Sequence, residues 1–445
     1  MLSAFRNIFK IPDLRNKILI TCAFLVLYRV GSFITLPGID SAQLSAMQNS
    51  SGGLQDLMAQ ISMLTGGQLA QCTLFALGIM PYISASIIFS LLVKVIPALE
   101  AMQKEGQTGR QKINQYTRYA TVGLCLIQSV FIIMWIKQNN LAYEPDLGFW
   151  LLTILALTTG TVFLMWVGEQ ITEFGIGNGI SLIIMAGIIA AMPAAIGNFI
   201  IDISNAAQAG ENVPMQVLKL VVFLGLFVGV VAAVVIMHRG QRRIALSHQK
   251  FARGQKVYGG QRHYLPIRVN MAGVMPVIFA DSLILFPTAL FSQFLPGLND
   301  FLSRGDSFWY IALYITMVIF FTFFWVSLTF SPQELAQNLK EHGSFIPGIR
   351  PGKRTEEHLE AIMNRITFVG AVFLAFIGLF PTVISVAMGI NMLLASFLGG
   401  TGLLIVVGVS LDLVEKIESH LLMRHYEGFM KTGRVRGGGN LAGGA

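Results

Sequence analysis

The sequence is short of charge. Only 12% of its 445 residues are Asp, Glu, Lys or Arg, where soluble globular domains carry about a quarter. That excludes an ordinary soluble domain. Cysteine is scarce as well: Cys22, Cys72 and Cys125 are far apart and lie in or beside apolar stretches, which argues against a disulfide framework and against a metal site. Catalytic signatures are missing too. The apolar runs hold no HExxH, no paired-Asp motif and no GxSxG, so no nucleophile or metal set for an intramembrane enzyme is visible. The nearest approach to a phosphate loop, residues 348–354 (GIRPGKR), has the wrong glycine spacing and Arg354 where Ser or Thr must hold magnesium. The expectation is a chain that is no enzyme, with no catalytic residue, metal or cofactor of its own, so the energy for its work must come from elsewhere.

What is present is apolar surface. Hydrophobic residues make up 54% of the chain, in runs near the roughly 20 residues that a helix needs to cross a bilayer. Ten such runs are expected as transmembrane helices, at 17–36, 73–96, 115–136, 150–168, 178–198, 214–237, 269–291, 308–330, 366–386 and 393–415. The basic residues test this count, because Lys and Arg concentrate in cytoplasmic loops. Residues 37–72 and 197–213 contain none, residues 94–118 contain five, and residues 238–268 contain eight with no acid among them. Loop 169–177 carries Glu169 and Glu173 but no base, so it is inside by parity alone. This pattern fits an all-α polytopic membrane protein with both termini in the cytoplasm. Residues 1–16 mix apolar and basic positions and read as an amphipathic surface segment rather than a cleavable signal. The glycine-rich tail, 431–445, reads as flexible. The basic loop 238–268 also holds His238, His248 and His263, and it suits an acidic partner such as ribosomal RNA or an acidic protein patch.

An internal echo divides the chain. Residues 78–83 (GIMPYI) open the second span and 273–278 (GVMPVI) the seventh, matching at Gly, Met, Pro and the final Ile. The two lie five helices apart, and an odd number of helices per half reverses the orientation of the second half, as in an inverted repeat. The expected halves are 17–198 and 214–430, joined by an external hinge loop at 199–213. Pro and Gly in each hexamer point to irregular backbone, buried in protein or beside a cavity.

Seven segments in order, 29–40 (RVGSFITLPGID), 75–88 (FALGIMPYISASII), 115–119 (QYTRY), 168–180 (GEQITEFGIGNGI), 239–243 (RGQRR), 269–273 (VNMAG) and 345–352 (FIPGIRPG), resemble the bacterial SecY family of protein-conducting channels over residues 14 to 430. Two positions depart from that pattern: Phe174, where many relatives carry Arg, and Asp281, where a small neutral residue is usual. The resemblance implies two five-helix halves around a central pore, set in the bacterial inner membrane, that passes unfolded polypeptides. It implies a lateral gate between helices 2 and 3 and helices 7 and 8, through which hydrophobic segments and signal sequences reach the membrane lipids. SecE and SecG as companion subunits, and the SecA ATPase and the ribosome as docking partners, are implied too.

The motif match carries a pore ring onto Ile79, Ile83, Ile180, Ile184, Ile278 and Ile405. Apolar branched side chains at a waist offer a moving chain no fixed hydrogen bonds, and a constriction lined by them dewets. Residues 54–71 are too short and polar to span but mildly amphipathic, and by position they match a re-entrant plug, with Leu54, Leu57, Met58, Ile61 and Leu64 along it and Gly66 and Gly67 at its hinge. Small polar residues suit the gate seam, and Ser84, Ser86, Ser90 and Asn270 are its candidates. Arg239, Arg242, Arg243, Arg253, Lys256 and Arg350 are expected on the cytoplasmic docking surface. A secondary transporter would share the helix count and the repeat, but such proteins keep ionisable residues near mid-membrane. Here the spans hold mainly Arg29 and Asp281, which favours an apolar constriction over a binding site.

Overall fold

The computed structural model describes residues 11–40, 43–44, 71–143, 146–208, 213–248, 251–253, 256–258, 262–281, 283–284, 307–388, 395 and 400–432. The plug residues Leu54, Leu57, Met58, Ile61, Leu64, Gly66 and Gly67 lie outside the described residues, as do 1–10 and 433–445. Helices α1 (Pro12–Gly31), α2 (Met80–Val95), α3 (Pro97–Lys104), α4 (Gln107–Gln138), α5 (Leu147–Phe174) and α6 (Gly179–Gln208) make the first part of the bundle. Helices α7 (Val213–Arg239), α8 (Phe308–Thr329), α9 (Pro332–Glu341), α10 (Lys353–Met388) and α11 (Gly400–Thr432) make the second, together with a helical stretch over 275–281. Helix falls in each of the ten stretches where a span is expected. By length and hydropathy, five of the described helices can cross a membrane, and a sixth if the bent pair α2–α3 counts as one span.

Helix starts differ from expectation at the echo, for a backbone reason. The second span is expected from residue 73, yet residues 71–79 form turns and α2 begins at Met80. Gly78 has φ +56° and Gly273 φ +65°, a left-handed conformation that costs other residues steric strain. Met80 and Met275 are then the first helical residues, and Pro81 and Pro276 the second. Proline is welcome there, since that N–H has no helical partner to lose. The hexamers are thus helix starts rather than kinks. At its other end α2 turns through 98° into α3, because Ile96 precedes Pro97 and is forced into extended backbone, ψ 111°.

Helix ends also run past the apolar stretches. α6 continues to Gln208, so most of the expected 199–213 loop is helical, and α5 reaches Phe174 within the expected 169–177 loop. α10 starts at Lys353, well before the expected 366, because Leu359, Ile362 and Ile366 pack under a small sheet instead of into lipid. The all-α expectation misses that sheet. In the 238–268 loop, β1 (Gln241–His248) pairs antiparallel with β4 (Arg262–Arg268), and β2 (Phe251–Arg253) pairs with β3 (Lys256–Tyr258) beyond them. β5 (Ser344–Phe345) adds to the free side of β1. Its signature is alternation: Ile244 and Leu246 are buried while Arg243 and Ala245 are exposed.

Two of the apolar clusters frame the site. Tyr28, Phe75, Leu164, Val167 and Ile171 knit α1, α5 and the 71–79 turns together. Val230, Val277, Tyr314, Val318, Leu374 and Leu404 do so for α7, 275–281, α8, α10 and α11. Glycines let backbones close up in the first group: a Cβ at Gly160 would overlap the Leu74 carbonyl, and one at Gly179 the Gly168 carbonyl.

Candidate functional site

Between the two groups, the helix starts converge on a constriction. Ile79 caps the N-terminus of α2 and Ile83 lies one turn in. Ile184 comes from α6, Ile278 from the 275–281 helix and Ile405 from α11. With Met80, these five line one void of about 10 Å³, close to the least space that one water occupies. Ile278 and Ile405 are buried and pack with Ile83 and Ile184, while Ile83 also packs with Ile79. The sixth expected residue, Ile180, stands one turn from Ile184. It lines the larger cavity above and packs on Gly168 of α5. Met80 is a lining residue that the sequence pattern did not single out, although it sits inside the repeated hexamer.

The loop before α6 is pinned so that these isoleucines point inward. Asn178 Oδ1 accepts the Ile180 N–H at 3.1 Å, a helix N-cap interaction. Thr172 Oγ1 accepts the Gly179 N–H at 2.9 Å and donates to the Gly168 carbonyl at 2.8 Å. On the far side of the loop, Thr21 of α1 accepts the Ile176 N–H at 3.2 Å.

Above the constriction opens a cavity of about 420 Å³, toward the end of the bundle that carries the β1–β4 sheet. Its floor is Ile83, Ile184, Ile278 and Ile405, shared with the small void. Its rim is polar: Asn178, His238, Arg268, Asp412 and Glu415. Arg268 holds Glu415 at 2.8 Å, tying the end of β4 to α11.

A second cavity, of about 370 Å³, lies between α2 and α4 on one side and α8 on the other. Ser86 and Ser90 line both cavities, and the Ser90 hydroxyl donates to the Ser86 carbonyl of its own helix at 2.7 Å. Ser84 and Asn270 line neither. Asn270 is buried, and its Cα would lie 4.0 Å from a Cβ on Gly370 of α10. On α3, Lys104 donates to Glu100 at 2.9 Å. That hydrogen bond holds the carboxyl below its ordinary pKa and the ammonium above its own, and Glu334 of α9 adds to the latter effect.

Asp281 is away from the constriction. It accepts hydrogen bonds from Tyr314 of α8 and Thr401 of α11, so it is paired inside the second helix group. The basic residues are at the sheet end: Arg239, Arg242, Arg243 and Arg350 are exposed, and Arg253 and Lys256 face each other in register where β2 meets β3. Ile346 and Ile349 pack with Ile244 and Leu246, which brings the 344–350 loop and β1 onto one core. Among the described residues, no group of His, Cys, Asp and Glu could hold a metal ion.

Helices that meet at an apolar constriction below a polar-rimmed vestibule define a polytopic membrane protein of channel type. The family model described as SecY matches residues 73–414, and the chain belongs to the SecY family. It is 42% identical over 442 residues to the Protein translocase subunit SecY of Vibrio cholerae, covering 96% of each chain. The solved structure called "The structure of a protein conducting channel" is similar with a TM-score of 0.64 at 20% identity, over 94% of this chain and 95% of that one. Sec61 in a canine ribosome-channel complex is similar with a TM-score of 0.60 at 18% identity, again over 94% and 95%.

Proposed function

We propose that this chain is the pore-forming subunit of a protein-secretion translocon. It passes unfolded polypeptides through the isoleucine constriction and releases apolar segments into lipid through the seam between α2–α4 and α8. The observation that carries the reading is the void of about 10 Å³ among Ile79, Ile83, Ile184, Ile278 and Ile405, beneath a cavity roughly forty times larger. A chain entering from the polar-rimmed side meets an apolar collar that holds no fixed partner for it. The segment 54–71 serves as its plug. As a channel subunit the protein is not an enzyme, and it draws driving energy from a bound partner.

The basic sheet end is the cytoplasmic face of a bacterial inner membrane, with both chain termini on it, as the positive-inside pattern of the loops supports. Arg239, Arg242, Arg243, Arg253, Lys256 and Arg350 dock the ribosome, through its RNA, or the SecA ATPase. SecE clamps the two halves, and SecG completes the assembly at the periphery.

The test is crosslinking of a stalled polypeptide to single cysteines placed at 79, 83, 180, 184, 278 and 405 in the assembled complex. Crosslinks at these positions, with none at lipid-facing controls such as Val221 or Phe376, are expected. A stalled chain that crosslinks elsewhere and avoids all six overturns the reading.

A further inference from the structure

The two large cavities meet at three residues. Among the described residues, Ser86, Ser90 and Trp325 line both the vestibule and the seam cavity. Two of these are small hydroxyl side chains on α2, and the third is the largest side chain a protein has, on α8. A wall made of two serines and one indole is thin on one side and bulky on the other. The Ser90 hydroxyl donates within its own helix, so its one proton makes no tie across the wall to α8. Trp325 is anchored from behind instead: its ring lies 5.6 Å from that of Phe279 at 52°, and Phe279 stacks on Phe321 at 5.3 Å. Phe279 is the neighbour of Ile278 at the constriction, so the indole rests on a helix that supplies one residue of the waist.

We infer that Trp325 is the leaf of the lateral exit, and that its apolar bulk sets how hydrophobic a segment must be to leave the vestibule for lipid. This rests on the channel reading above and names a specificity-determining residue within it. Its physical basis is displacement. An aromatic ring of this size buries on the order of 200 Å², and a segment that leaves sideways must move that ring off Phe279 or slide past it. A strongly apolar segment covers the uncovered ring surface with its own side chains, while a weakly apolar one does not. Shortening the side chain joins the two cavities and removes the barrier for both.

The experiment uses the full chain with its partner subunits in vesicles. The substrate is a secretory protein carrying test segments of about 19 residues graded from alanine toward leucine, and the readout is the leucine content at which half of the segments enter lipid. Trp325→Ala is expected to lower that midpoint by about two leucines, and Trp325→Phe, which keeps an apolar ring, by less than one. An unchanged midpoint in Trp325→Ala, or an equal shift in Trp325→Phe, overturns the inference. If Trp325→Ala does not assemble, Trp325→Leu replaces it with about half the shift expected, and no shift there overturns the inference in the same way. Export of the same protein without a test segment separates the two levels. If the native channel exports nothing, the channel reading fails; if it exports and the midpoints coincide, only the role of Trp325 fails.

Discussion

Isoleucine offers nothing to an ion and little to a peptide group, and under the proposed channel reading that is the use of Ile83 and Ile278. An amide in place of either supplies hydrogen bonds that hold water in a void otherwise near the one-water limit. Ile83→Asn combined with Ile278→Asn is expected to raise resting ion conductance about tenfold, the equivalent of ~1.4 kcal/mol off the dewetting barrier. Single-channel recording in planar bilayers, with the partner subunits present, checks this; silent variants count against the waist. Gly273 gives a second prediction of a different kind. A Cβ there meets nothing within 4 Å, yet its φ of +65° is left-handed, so Gly273→Ala is expected to lose about 1 to 2 kcal/mol through backbone strain alone. Thermal unfolding in detergent measures it, and an unchanged midpoint contradicts the strain argument. The repeated hexamer is readable in the sequence because Gly, Met and Pro carry their own backbone chemistry. The packing of Asn270 is not, because nothing local to it reveals that it lies toward α10.

Helices of this bundle are held by close backbone approach far more than by charge. The Arg268–Glu415 pair leaves both side chains about half exposed, at 55% and 46%, so its net worth is under about 1 kcal/mol. Gly179 is the opposite case: a Cβ there overlaps the Gly168 carbonyl, a backbone atom fixed within α5. Arg268→Gln is therefore expected to leave thermal stability nearly unchanged, while Gly179→Ala lowers it by about 1 to 3 kcal/mol through overpacking. The reverse ranking in one unfolding series contradicts this account. The elements themselves are legible where sequence and solvent agree, since a lipid-facing run has to be apolar throughout. They are illegible where helix continues into water, as at Lys353 and Gln208, because polar turns look alike inside and outside a helix. The β1–β4 hairpin hides for a different reason: its alternation is brief, and its arginines make the stretch resemble a basic loop.

Across the whole molecule, the basic end forms one surface because β1 and the 344–350 loop share the core of Ile244, Leu246, Ile346 and Ile349. Sequence alone places Arg243 and Arg350 in separate loops more than a hundred residues apart, and the pairing of β5 with β1 over that core brings the two segments to one end of the bundle. Arg243 on β1 and Arg350, in the loop whose Ile346 and Ile349 pack on the same core, are both exposed and can meet phosphates together. The double variant Arg243→Glu, Arg350→Glu should assemble normally, since exposed substitutions of this sort change stability by about 0.5 kcal/mol or less. Its binding to ribosomes in a sedimentation assay should fall at all salt concentrations. The slope of log affinity against log salt should also flatten by about one for each phosphate that is no longer neutralised, so by about two if both arginines touch RNA. A fall in affinity with an unchanged slope means that the arginines meet protein rather than nucleic acid. Unchanged affinity and slope together remove this surface from ribosome docking, and leave SecA as the partner to test with the same pair of substitutions.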